Sequence, residues 1–199
     1  LFKKQNELIK HLTDKQIVQN LYFTQFLILV FSTISGIFLF DSVKEFMDLW
    51  RVTNNSFIIY GIATAIIVIF VDFIIMKLVP KHFIDDGGIN ERLFAKRSFP
   101  HIVFLTLLIA ISEEILFRGV LQTHLGIWTA SLIFAVLHFR YLSKSILFTM
   151  VVAISFLLGI VYDITDTLYT TIIAHFLIDL VFAIQIRLNY LKEVREGNE

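Results

Sequence analysis

Glu113, Glu114 and Arg118 place three charges within one short apolar stretch, Ile111-Ser112-Glu113-Glu114-Ile115-Leu116-Phe117-Arg118. A charge at the centre of a bilayer costs between roughly 2.5 and 17 kcal/mol. Such side chains must therefore face a protein interior or a wet cavity. Asp72, His138, His175 and Asp179 also fall inside apolar runs. On a helix Glu114 and Arg118 lie four residues apart and can pair on one face. Glu113 points about 100° away from Glu114, so it is left to face something else. An unpaired carboxylate in low-dielectric surroundings suits a general base. His175 and Asp179 share the same four-residue spacing, and an aspartate there can orient or charge the imidazole. Together these are parts for general-base catalysis: an acceptor for a water's proton and a donor for developing negative charge. Zinc chemistry is the rival, because Glu113, His138 and His175 could supply three ligands and leave a fourth position open. No His-Glu-x-x-His helix accompanies them.

The elements that must position these residues are membrane spans. Apolar residues make up 57% of the 199 and charged residues only 17%, against about 25% charged in soluble domains. Mean hydropathy is +0.77. With 21 phenylalanines and two prolines, the apolar mass is helical in style. Zero net charge without a basic stripe excludes nucleic acid as a partner, and the absence of cysteine excludes disulfides and thiolate nucleophiles. No signal peptide is evident. The fold expected is all-α: a polytopic transmembrane helical bundle of about six spans, preceded by an interfacial amphipathic helix over residues 1–20 that carries Lys3, Lys4, Lys10 and Lys15.

Spans are expected at 21–40, 57–79, 100–125, 127–142, 145–162 and 167–186, with a polar tail over 187–199. Pro80 closes the second span, Pro100 opens the third, and Gly126 separates the third from the fourth. Asp85-Asp86-Gly87-Gly88 marks a turn in the longest polar connection. Residues 163–166 make a tight turn before a span capped by Thr167. Residues 21–99 then form two spans and a connection, and 100–186 a core of four spans. With the N-terminus placed inside, fourteen of the 17 lysines and arginines fall on the cytoplasmic side. Only Lys44 and Arg51 lie outside, and Arg118 is intramembrane. By the positive-inside rule both termini are cytoplasmic.

In their order along the chain these residues resemble the CAAX protease and bacteriocin-processing (CPBP, or Abi) family of intramembrane glutamate endopeptidases, which includes the type II CAAX prenyl endopeptidases. A Glu-Glu-x-x-x-Arg motif matches Glu113, Glu114 and Arg118. Phe-x-x-x-His matches Phe134 and His138, and His-x-x-x-Asn/Asp matches His175 and Asp179. Arg118-Gly119, Ala130-Ser131 and the run Leu158-Gly159-Ile160-Val161-Tyr162 agree as well. The resemblance covers roughly residues 100–180, and the first two spans add nothing to it.

The resemblance implies a metal-independent protease in which Glu113 deprotonates the attacking water and His138 helps to hold it. His175 and Asp179 would stabilise the oxyanion, while Glu114 and Arg118 serve as framework. Asp179 stands where related prenyl-protein proteases carry asparagine, and an ionised aspartate cannot donate a hydrogen bond. Either burial keeps Asp179 protonated, or it stabilises a His175 imidazolium that is the donor; the second is favoured. The expected cavity lies between the third, fourth and sixth spans, with Asp72 as a structural partner. The expected substrate is a membrane-associated peptide or protein precursor. The competing class is a non-catalytic bacteriocin-immunity or scaffold protein.

Overall fold

The computed structural model describes residues 12–197, and they are helical, with no strand among them. The long helices are α1 (Asp14–Leu39), α3 (Ser56–Leu78), α6 (Phe99–Glu114), α7 (Thr123–Leu137), α8 (Ser145–Thr165) and α9 (Leu168–Glu196). Short helices α2 (Val43–Asp48), α4 (Lys81–Ile84) and α5 (Ile89–Phe94) occupy the connections. Five stretches are long and apolar enough to cross a membrane: α1, α3, Phe99–Leu137, α8 and α9. Large apolar side chains such as Phe26, Phe38, Ile59, Phe70 and Trp128 are exposed along them. So much exposed apolar surface suits lipid rather than water. The chain is a multi-pass helical membrane protein.

Residues 1–11 of the expected amphipathic segment lie outside the described residues. From Asp14 onward the chain already belongs to α1. Thr13 and Gln16 form a reciprocal capping box, which fixes the helix start. Asp14 pairs with Arg92 at 3.0 Å and with Lys96 at 3.6 Å, while Ile17 and Val18 are buried against Leu93, Phe94 and Ile102. The first span therefore begins earlier than the uncharged run suggests.

The stretch Phe99–Leu137 does not run straight. In a straight α-helix Phe117 and Phe134 would lie roughly 25 Å apart, yet their ring centroids are 4.8 Å apart. The reversal occurs at Gly126, whose φ of 78° favours glycine. Directly after Glu114 the helix widens into a π-helical segment, Ile115–Gln122, which periodicity did not foretell. Beyond Gly126 only Ile127 to Leu137 is helical, roughly 16 Å of rise. A 3₁₀ turn, Phe139–Tyr141, then leads toward α8.

Contact registers give the helix directions. Gly61 meets Thr170 and Ile173, Ala65 and Val68 pack on Ile178, and Phe73 meets Phe182, so α3 and α9 run parallel. Ile102 and Leu105 cluster with Ala183, and Ala110 with Leu168 and Ile172, so α6 runs antiparallel to α9. Trp128 meets Phe156 edge to face, and Ile127 approaches Gly159, while Phe117 and Phe134 share a cluster with Val151. These contacts make α7 and α8 antiparallel. Two corrections concern the last turn. The helix α8 runs through Asp163 to Thr165, and the chain turns at Asp166 (φ 50°). Thr167 stands at the N-cap of α9 without a side-chain capping bond.

Candidate active site

Glu113 lies at the end of α6, where the buried face Ile102, Leu105, Ala110 meets the bundle core. Its neighbour Glu114 is fully buried. Glu114 Oε2 lies 3.3 Å from Arg118 Nε, as the four-residue spacing anticipates. Arg118 is 1% exposed, and its Nη2 donates to the Ser155 carbonyl at 2.8 Å and to its hydroxyl at 3.2 Å. The pair thus ties α6 to α8. Glu114 has a second task that its position in sequence does not reveal. His175 Nδ1 donates to Glu114 Oε1 at 2.8 Å, and the other ring nitrogen of His175 lies 3.6 Å from Asp179 Oδ2. Carboxylates therefore flank the His175 ring on both sides.

His138 stands just past the last residue of α7, where helical geometry stops. Its Nδ1 is 2.8 Å from the Phe134 carbonyl. A carbonyl only accepts, so Nδ1 carries the proton and a neutral ring leaves Nε2 as an acceptor. Phe134 is the packing hub. Its ring centroid lies 4.4 Å from that of His138, 6.4 Å from that of His175, and 5.2 Å from the Arg118 guanidinium carbon.

Glu113, His138, His175, Asp179 and Phe134 line one cavity of about 880 Å³, within the range of small-molecule and peptide pockets. Glu114 and Arg118 lie behind its wall, with neither among the lining residues. Glu113 thus faces the cavity while Glu114 and Arg118 pair behind it. Among the described residues no group of three His, Cys, Asp or Glu side chains is placed to hold a metal ion.

The walls extend beyond the third, fourth and sixth spans, contrary to expectation. Helix α1 contributes Leu21 and Gln25, α3 contributes Asp72 and Met76, and α8 contributes Met150 and Ile154. Gln25 is 2% exposed. Its Nε2 donates to Glu113 Oε1 at 3.4 Å, and its Oε1 accepts from the Ser112 hydroxyl at 2.5 Å. Sequence reading passed over Gln25 because it is uncharged. The available signal was a lone amide in an otherwise apolar run. Asp72, expected as a structural partner, lines the cavity, and among the described residues no hydrogen bond or ion pair reaches it. The Asp85–Gly88 turn also reaches the cavity, through Asp85, Asp86 and Gly88.

Residues 95–181 match the family described as Type II CAAX prenyl endopeptidase Rce1-like. The chain is also 56% identical over 169 residues to the uncharacterized protein YpbD of Bacillus subtilis (strain 168), covering 85% of this chain and 89% of that protein. This chain belongs to the Rce1-like family. The family implies a membrane protease, and the matched residues span all three motifs, from Glu113 to Asp179. No solved structure matches.

Proposed function

We propose that this protein is an intramembrane endopeptidase that hydrolyses a peptide bond in a membrane-associated peptide or protein precursor. The observation that carries the reading is that Glu113, His138, His175 and Asp179, drawn from two helices and the end of a third, line one cavity. In this reading a water sits between Glu113 and the free Nε2 of His138. Glu113 takes its proton as the oxygen attacks the scissile carbonyl. The resulting oxyanion accepts from Nε2–H of a His175 imidazolium, whose charge is offset by Glu114 and Asp179. Collapse breaks the C–N bond, and Glu113 returns the proton to the leaving amine. Gln25 fixes the Glu113 carboxylate, while Glu114 and Arg118 hold the His175 ring from behind.

The topology that goes with this activity has six passes, the fourth short, with both termini in the cytoplasm of a cell-membrane protein. The alternating helix directions support it, as does the lysine and arginine distribution. The cavity reaches α4 and α5, the 139–141 turn, and Tyr190 and Glu193 on α9. The chain at that end also carries Arg92, Arg140, Lys144 and Lys192. The cavity therefore opens to the cytoplasm. We favour processing of a bacterial peptide or membrane-anchored precursor over prenyl-protein cleavage, because the 56% identical relative is bacterial.

The test is Glu113→Gln, which keeps shape and hydrogen bonding but removes the base. Purified protein in proteoliposomes is given a membrane-anchored peptide library, and products are read by mass spectrometry. Cleavage by the parent falls at least about a hundredfold in the variant. Undiminished cleavage by E113Q sinks this mechanism. Parent activity that is lost on chelation and restored by zinc would move the site to metal chemistry. An intact function in cells without any cleavage would assign the immunity or scaffold class.

A further inference from the structure

Asp72 sits on the one face of α3 that is buried. Gly61, Ala65, Val68 and Asp72 follow helical spacing, and the first three pack on α9. The fourth member of the stripe reaches the cavity instead. Asp72 is 7% exposed, and no donor among the described residues satisfies its carboxylate. A buried carboxylate without a partner is costly, and a cation brought from outside would offset that cost. The cavity points the same way. Asp85, Asp86, Glu91 and Glu193 line the same cavity as Asp72, and among the described residues Arg140 is the single lysine or arginine of the lining. That arginine is already engaged, donating to Asn90 at 3.2 Å and to the Tyr141 hydroxyl.

We infer that Asp72 is the specificity carboxylate of this cavity, accepting the side-chain ammonium or guanidinium of a basic residue in the bound peptide. The register of α3 against α9 gives its place. Phe73 is level with Phe182 and Val68 with Ile178, so Asp72 lies about 3–4.5 Å nearer the mouth than Asp179 along the axis. With about 8–10 Å between packed helix axes and roughly 3.3–3.6 Å per extended residue, the basic residue falls within about three positions of the scissile bond. The acidic rim raises the local concentration of cationic peptide, and Asp72 selects among what enters. Calling the occupant a substrate rests on the protease reading; its binding does not.

The test uses the full chain in detergent micelles and two fluorescein-labelled decapeptides that differ only at one central residue, lysine in one and acetyl-lysine in the other. Fluorescence anisotropy is expected to give the lysine peptide about a tenfold tighter Kd, the value of one charge-assisted contact in a site of this kind. Asp72→Asn brings the ratio to near one, and Asp72→Glu keeps most of it. Circular dichroism and gel filtration check that both variants fold. No charge preference in the parent protein overturns the inference. A preference that persists in D72N places the cation on the rim carboxylates and overturns it equally. Charge-selective binding without cleavage leaves this inference standing and counts against the protease. Where the lysine peptide is cut, a cleavage site more than three residues from the lysine rejects the placement.

Discussion

His138 and His175 face the same cavity, yet their hydrogen bonds make them different reagents. The Phe134 carbonyl takes the Nδ1 proton of His138, leaving Nε2 to accept from a water. Glu114 and Asp179 bracket His175, which favours a doubly protonated ring able to donate. This bears on the aspartate that stands where related proteases carry asparagine. If Asp179 acted as a neutral donor, Asp179→Asn would preserve activity. In the bracketed arrangement the substitution removes one of two charges that hold the imidazolium. Turnover is then expected to fall about tenfold, less than on loss of a whole oxyanion donor, which costs roughly a hundredfold or more. Steady-state kinetics on any cleaved peptide decides it, and unchanged kcat would return the donor role to residue 179. The pairing of Glu114 with Arg118 was legible from four-residue spacing alone. The bond from Glu114 to His175 crosses 61 positions and has no local signature.

At the scale of elements, the site depends on helices that approach closely where side chains are small, as membrane helices do. A Cβ on Gly159 would lie 2.7 Å from Ile127 Cγ1 and 2.8 Å from Gln122 Oε1. One on Gly61 would lie 2.9 Å from the Thr170 carbonyl oxygen, a backbone atom that cannot step aside. Gly61→Ala and Gly159→Ala are each expected to destabilise the protein by about 1–3 kcal/mol through overpacking. Gly36→Ala is the control, because its nearest neighbour would be 3.8 Å away. That change should be neutral or stabilising by up to about 1 kcal/mol through helix propensity. Unfolding in detergent, followed by circular dichroism, separates the three; an equal effect at all of them would reject the close-approach account. The break at Gly126 was readable from glycine between two apolar runs. The π-helical segment was not, since apolar periodicity over eight residues does not distinguish it from an α-helix. Within it Arg118 and Gln122 donate to the Ser155 and Gly159 carbonyls of α8.

For the whole molecule, the arrangement separates two ends. Arg92 with Asp14 and Arg187 with the Ala95 carbonyl bind one end together. Leu168 N–H bonded to the Leu49 carbonyl, and Trp50 against Tyr169, bind the other. The chain has no cysteine, so single cysteines report topology without background. In intact cells a membrane-impermeant maleimide is expected to label Asn54→Cys. Ser143→Cys should react only after the cells are opened. The reverse pattern would invert the orientation and place the cavity mouth on the outer face. The sequence makes this orientation an expectation because lysine and arginine counts act locally at each connection. The extent of the cavity was not, because the contributions of Gln25 and Asp72 come from helices outside the matched motifs.

By itself the sequence determined that this is a helical membrane protein, where its long apolar runs lie, and which ionisable residues lie within them. Hydrophobic run length and the cost of burying charge are local quantities, readable residue by residue. It also determined that Glu114 and Arg118 can pair, since helix geometry fixes neighbours four apart. Only the tertiary structure decided that Glu114 also holds His175, that Gln25 steadies Glu113, and that Asp72 faces the cavity unpaired. Each of those depends on how one helix is turned and shifted against another. That choice is made by the packing of whole faces, and no short stretch of sequence encodes it.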